Sequence, residues 1–182
     1  MFAGFSGMVA IQGEFPVALN EVYGIEQATG GQIASMITYA GGFGSLSIPA
    51  IANRLDRRKA ALVIAAVGFG VVEFPVWLTG NTSLLFVGTA LAGYLAGGAL
   101  PIIMEVPAWL PRVESDPVEA QHVGGASGLM TAMMNIGGFV GLPLIIGPTI
   151  GAYGYTVGFG VAMFIFAFQG LGVFLTMPSV AK

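Results

Sequence analysis

The chain has 182 residues, of which 55% are hydrophobic and only 8% are charged, and its net charge is −3. A soluble domain carries roughly 25% charged residues, so this chain has too few charges to cover a globular surface. The composition therefore predicts an all-α integral membrane protein. The sequence has no cysteine and one histidine, which excludes disulfides and argues against a metal site. It has no basic run suited to nucleic acid.

Six long apolar segments follow one another along the chain, and each has about the 20 residues needed to cross a bilayer. They lie near 1–20, 32–53, 59–79, 83–110, 125–148 and 155–178. The sequence thus predicts a single six-helix transmembrane bundle over residues 1–182. The lipid bilayer would surround this bundle.

The basic residues orient this bundle. With six spans they all fall on one side of the membrane: Arg54, Arg57, Arg58, Lys59, Arg112 and Lys182. The positive-inside rule assigns that side to the cytoplasm. We therefore expect a multi-pass protein of an inner or plasma membrane, with both termini cytoplasmic.

Three short sequence matches link the first three spans with the last three, in the same order. The matched pairs are EFPVAL with EVPAWL (14–19 and 105–110), GGFGSL with GGFVGL (41–46 and 137–142), and two copies of VGFGV (67–71 and 157–161). Because three spans is an odd number, a repeat of three would have inverted topology. The pattern predicts two inverted three-helix repeats.

The loop between spans 2 and 3, PAIANRLDRRK, resembles the cytoplasmic signature G-x-L-A-D-R-x-G-R-K/R of the major facilitator superfamily. The residues that agree with it are Ile51, Ala52, Arg54, Arg57 and Arg58. The residues that depart from it are Pro49, Asn53 and Asp56. Such departures are commoner in the second copy of the signature, between helices 8 and 9 of the family.

Two further stretches are similar to later helices of that family. GGALPIIMEVPAWLP looks like its helix 10, and GGASGLMTAMMNIGGFVGLPLIIGPTIGAYGY looks like its helix 11. The resemblance implies helices 7–12, the C-terminal half of a twelve-helix transporter. Among the branches of the family, the chain is most similar to the cyanate and nitrate/nitrite porter-like ones. Nitrate porters carry an Arg within helix 8, and residues 32–53 have none in their core, which argues against nitrate.

The resemblance implies half of a secondary-active transporter that moves a small solute by alternating access, with proton coupling as one option. Such a half would need an N-terminal six-helix half or a second copy as partner. Two other interpretations stay open: a homodimeric half-size carrier, and a membrane subunit that does not transport. The sequence predicts no enzyme and no cofactor, and it has no nucleotide-binding motif.

Glu14 is the first candidate for the solute or proton pathway. A carboxylate near the bilayer centre costs a few kcal/mol, so it is tolerated when it is protonated, paired or facing water. Pro16 cannot donate to the carbonyl of Gln12, and we expect a bend that frees this acceptor. Gln12, its carbonyl and Glu14 are then predicted to form a polar pocket. The alternative is a Glu at the watery end of its helix.

Three more polar side chains are pathway candidates. Asn135 lies in the middle of span 5, where it would contact solute or a neighbouring helix. Tyr39 and Tyr94 lie on helices of the type that lines the cavity, although packing in the core is the commoner role for a tyrosine. The adjacent Met133 and Met134 are expected to serve packing alone.

The basic loop has two interpretations. A topology anchor requires only positive charge. The family role is a conformational latch, in which the loop pairs with carboxylates or helix C-termini in one of two states. The candidate latch residues are Asn53, Arg54, Asp56, Arg57 and Arg58.

Two more glutamates lie two residues before a proline, as Glu14 does. Glu105 is predicted near the cytoplasmic end of span 4, beside Arg112. Glu73, in span 3, is expected to be structural and to face lipid or its neighbours. Trp77, one turn later, is predicted to anchor the helix at the membrane interface.

A rhomboid-type intramembrane protease is a further interpretation, because GASG, at 125–128, places Ser127 at the start of a helix. That chemistry needs a histidine on a later helix to accept the serine proton. The single histidine, His122, precedes Ser127. The sequence therefore favours Ser127 as a small packing residue.

Overall fold

The computed structural model describes residues 2–109 and 122–176, and these form six long helices. They are α1 (Phe2–Tyr23), α2 (Gln27–Arg54), α3 (Arg58–Thr79), α4 (Thr82–Trp109), α5 (Val123–Tyr153) and α6 (Tyr155–Thr176). Their order and approximate bounds agree with the six predicted segments. The Arg112 and Lys182 charges and the connection over 110–121 lie outside the described residues.

Four of these helices are long and apolar enough to span a membrane: α3, α4, α5 and α6. This is consistent with the predicted membrane protein. The first two helices are not among the four. In α2 the apolar residues are diluted by Gly, Ser, Thr and Gln, which lower its mean hydropathy.

Glycines in the left-handed region end three of the helices. Gly24, Gly80 and Gly154 have φ values of 66°, 59° and 83°. These are conformations that L side chains rarely adopt, and they are the usual way to stop a helix and reverse the chain. After the second of these turns Asn81 caps α4, because its side-chain oxygen accepts a hydrogen bond from the Leu84 amide at 3.1 Å. Consecutive helices are therefore joined by tight turns wherever the connection is described.

A five-residue π-turn interrupts α5 at Leu142–Ile146. Pro148, just beyond it, has no amide proton to donate to the carbonyl four residues earlier. The Gly147 amide instead donates to the Leu142 carbonyl, five residues back. The α5 helix thus continues to Tyr153 with a wider turn in its interior, a feature that no sequence match predicted.

Helices distant in the chain form the main contacts. The second helix packs against α4 over most of its length, and α3 packs between α4 and α6. The first helix contacts α5, α6 and α2. The bundle therefore has two main seams, one between α2 and α4 and one among α1, α3 and α6.

The α2–α4 seam is built from backbone contacts at glycines. A Cβ placed on Gly93 would lie 2.5 Å from Ile37 Cα, and one on Gly97 would meet the Gly41 backbone. A Cβ on Gly44 would meet the Tyr94 carbonyl. Small residues four apart let membrane helices approach this closely. We refer to this contact as the glycine seam.

The seam among α1, α3 and α6 is aromatic. Trp77 is fully buried between Phe15 and Phe159, with ring centroids 5.4 and 4.8 Å away. Tyr23 packs edge-on against the indole and donates its hydroxyl proton to the Trp77 carbonyl at 2.7 Å. The expectation that Trp77 anchors the interface is wrong: α3 turns this face inward, where neighbouring rings fill the space around it. We call this group the aromatic core.

Candidate functional site

The predicted polar pocket on α1 is divided between two sides of the helix. Gln12 donates from Nε2 to the Thr38 hydroxyl on α2 at 3.1 Å. Glu14, two residues later, is half-buried. Residues two apart on a helix point in nearly opposite directions. The α1 helix continues through Pro16.

The two candidate tyrosines differ in their surroundings. The Tyr39 side chain on α2 is 67% exposed, so it does not have the core-packing role that is commoner for a tyrosine. Tyr94 is half-buried on α4, and its hydroxyl lies 2.7 Å from the Ser47 hydroxyl on α2. Ser47 Oγ is also 2.8 Å from the Phe43 carbonyl. A chain of polar groups therefore crosses from α4 to α2 beside the glycine seam.

Asn135 lies on an exposed face of α5. Its amide nitrogen donates to the Thr131 carbonyl, one turn earlier, at 3.1 Å. The side chain is thus held against its own helix, with its oxygen available on the exposed face. Of the two adjacent methionines, Met134 is buried and Met133 is largely exposed. Packing against the bundle accounts for the first of them only.

The basic loop is a tight reversal between α2 and α3. The Leu55 amide bonds to the Ile51 carbonyl and the Arg57 amide to the Ala52 carbonyl, each at 3.0 Å. Asp56 has φ 53° and is the one non-glycine with positive φ in the described residues. It stands where the family signature has its second Gly, and Asp tolerates this conformation better than most residues do.

The loop side chains are mostly solvent-exposed. Asn53, Arg54, Asp56 and Arg57 are exposed, and Arg58 is half-buried. Arg58 donates from Nη1 to Glu105 Oε2 at 3.0 Å. This ion pair joins the start of α3 to the last turns of α4. The sequence predicts Glu105 beside Arg112, which lies outside the described residues, and the partner of Glu105 within them is Arg58.

Glu73 is fully buried, which excludes a position facing lipid. One carboxyl oxygen accepts a hydrogen bond from the Thr89 hydroxyl on α4 at 2.9 Å. The other oxygen and the Trp77 indole nitrogen, one turn further on, have no hydrogen-bond partner in the described part of the chain. A buried carboxyl in this position fixes α3 against α4.

Ser127 contacts the neighbouring helix rather than a histidine. Its hydroxyl lies 3.3 Å from the Met104 carbonyl on α4. His122 is exposed at the start of α5. Within residues 2–109 and 122–176, no three His, Cys, Asp or Glu side chains are grouped to hold a metal ion.

Three polar contacts could not be identified from the sequence. Thr38, Ser47 and Thr89 are the partners of Gln12, Tyr94 and Glu73. Isolated Ser and Thr are common in membrane helices, so nothing in the sequence distinguishes these three from the others. Their roles depend on which helices pack together.

No protein-family model and no curated protein matches this chain. The resemblance to the major facilitator superfamily therefore rests on the loop motif and on the similarity of the later helices.

Proposed function

We propose that the chain is half of a secondary-active transporter, built like the C-terminal half of a major facilitator protein. It would move a small solute by alternating access, together with an N-terminal half or a second copy of itself. The observation that carries this proposal is the order in which the helices pack.

The packing order is unchanged when the first three helices are exchanged with the last three. The contact of α1 with α5 becomes that of α4 with α2, and the contact of α1 with α6 becomes that of α4 with α3. The α3–α6 contact maps onto itself. An inverted repeat of three helices has this property, and such repeats are typical of secondary transporters.

The α3–α6 contact supports the same exchange at the level of residues. The two VGFGV copies place Phe69 and Phe159 at equivalent positions, and both rings are fully buried. A Cβ on Gly70 would lie 2.7 Å from the Met163 carbonyl, and a Cβ on Gly160 would lie 3.0 Å from the Phe74 ring. Gly70 thus faces α6 at Met163, just after Gly160, and Gly160 faces α3 at Phe74, just after Gly70.

The pathway would lie along the exposed parts of α2 and α5. Tyr39 and Asn135 project there, with Gln12 and Thr38 at the α1–α2 edge. If transport is coupled to protons, Glu14 is the candidate carrier, because it is a half-buried carboxyl in the apolar part of α1.

Uptake into proteoliposomes tests this function. The chain is reconstituted alone and as a covalent tandem of two copies, and a panel of radiolabelled small anions, amino acids and sugars is screened with and without a proton gradient. We expect saturable uptake of one class. Glu14→Gln should abolish the stimulation of this uptake by the proton gradient. Exchange of the solute down its own concentration gradient should remain.

Glu21→Gln is the matched control, because Glu21 is an exposed carboxylate on the same helix. If both substitutions leave the gradient dependence unchanged, Glu14 is not the coupling site. If neither preparation moves any solute above the level of empty vesicles, the proposal of a carrier made from this chain alone fails, and a non-transport subunit is favoured.

A further inference from the structure

A groove with a volume of about 300 Å³ lies between α2 and α3 and has α4 as its floor. Its walls are apolar side chains, chiefly Ile51, Leu55, Ile64 and Leu95. Three of these, Ile51, Leu55 and Ile64, are more than half exposed. Part of the volume is therefore open to the surroundings of the bundle.

Arg57 lines the same groove at its loop end. Its side chain is exposed and forms no ion pair within residues 2–109 and 122–176. The loop around it carries four basic residues and one acidic residue over 54–59, a net charge of 4 − 1 = +3. The groove is thus apolar along its length and positively charged at one end.

This combination has one natural occupant in a membrane. The loop end lies on the side that the basic residues assign to the cytoplasm, where the leaflet is rich in anionic lipid. Basic pockets between transmembrane helices on this side bind anionic lipid head groups, and each cation near the surface contributes about 1 kcal/mol. The groove supplies an apolar surface for the acyl chain below the head group.

We infer that the α2–α3 groove binds one anionic phospholipid, with its phosphate at Arg57 and an acyl chain along Ile51, Ile64 and Leu95. This inference requires the membrane location but not transport. Its test measures binding only, so it can fail or succeed separately from the proposed carrier function.

The test is native mass spectrometry of the purified full chain with dioleoyl phosphatidylglycerol as the probe. Dioleoyl phosphatidylcholine has the same chains without net charge, and glycerol phosphate has the charge without chains. We expect one phosphatidylglycerol to bind in preference to phosphatidylcholine, and no competition from glycerol phosphate. Arg57→Gln should weaken binding roughly fivefold, the equivalent of about 1 kcal/mol.

Arg54→Gln is the matched control, because Arg54 is an exposed cation of the same loop that does not line the groove. It should weaken binding less than twofold. Ala60→Phe should block the groove, because Ala60 lines it and is itself exposed, so the larger side chain can be accommodated without disturbing the fold.

Several results would overturn the inference. Equal effects of Arg57→Gln and Arg54→Gln would show a diffuse charge effect, and an unchanged Ala60→Phe would place the lipid elsewhere. Equal binding of phosphatidylcholine would show ordinary lipid contact, and competition by glycerol phosphate would show an anion site without an acyl chain. A dimer that Ala60→Phe abolishes would show that a second copy occupies the groove.

Discussion

The two seams of the bundle hold helices together in opposite ways. In the glycine seam, the backbones of α2 and α4 touch where Gly93, Gly97 and Gly44 meet the opposite helix. In the aromatic core, large rings from α1 and α6 enclose Trp77 of α3. In a bilayer, the surrounding lipid would be as apolar as these side chains, so close packing rather than burial from water would stabilise both seams. The glycine seam should thus be sensitive to added atoms, and the aromatic core to removed ones.

The largest effect is expected for Trp77→Ala. Removing a fully buried indole leaves a cavity that the surrounding rings cannot fill, and such changes cost about 3–5 kcal/mol. Thermal unfolding in detergent, followed by circular dichroism, measures the loss. Phe164→Ala is the control, because this ring is 68% exposed and its removal should be nearly neutral. Equal losses for the two variants would show that the aromatic core is not a stabilising unit.

Gly97→Ala tests the other seam with a single added methyl group. The new Cβ would overlap the Gly41 backbone, so α2 and α4 must separate, at a cost of about 1–3 kcal/mol. Gly42→Ala adds the same group on α2 where nothing lies within 4 Å, and in a helix it should slightly stabilise. The same unfolding measurement compares them. If Gly97→Ala is no less stable than Gly42→Ala, the helices do not meet at this glycine.

The loop from α2 to α3 joins the two seams, and its geometry can be tested at Asp56. Its φ of 53° is unfavourable for a β-branched side chain, so Asp56→Val should cost about 1–2 kcal/mol. Asp56→Gly should be tolerated, because glycine adopts this conformation freely. Denaturation midpoints of the two variants give the difference. Equal stability of the Asp56→Val and Asp56→Gly variants would mean that residue 56 does not have a positive φ.

The smallest effect concerns the contact of α3 with α4 beside the aromatic core. Thr89→Val keeps the shape of the side chain but removes the hydrogen bond to Glu73. Hydrogen bonds between membrane helices contribute about 0.6 kcal/mol on average. A double-mutant cycle with Glu73→Met, which removes the acceptor oxygen, should return a coupling of about that size. A coupling of zero would show that the pair makes no net contribution.

The sequence predicted the number and order of the helices in residues 2–109 and 122–176 because long apolar segments alternate with short polar connections, although only four of the six helices have the length and hydropathy of a membrane span. It also placed the connection between α2 and α3 at the basic residues, but it did not predict the positive φ of Asp56. It failed for Trp77, because an aromatic residue near a helix end is compatible with both an interface and a core. It did not predict the π-turn of α5 over Leu142–Ile146. Hydrogen-bond partners such as Thr89 of Glu73 depend on which helices pack together, and no local sequence pattern indicates that packing.

The proposed alternating access, with the latch role that the family resemblance implies for the basic loop, is tested most directly by single-cysteine labelling, for which the chain has no native cysteine. Tyr39→Cys in membrane vesicles should react with a membrane-impermeant maleimide, and Phe164→Cys should not. Glu105→Gln removes the partner of Arg58. A half-exposed ion pair contributes at most about 1 kcal/mol, so the labelling rate of Tyr39→Cys should change roughly two- to fivefold. Equal rates with and without Glu105→Gln, or equal labelling at both cysteine positions, would contradict the account.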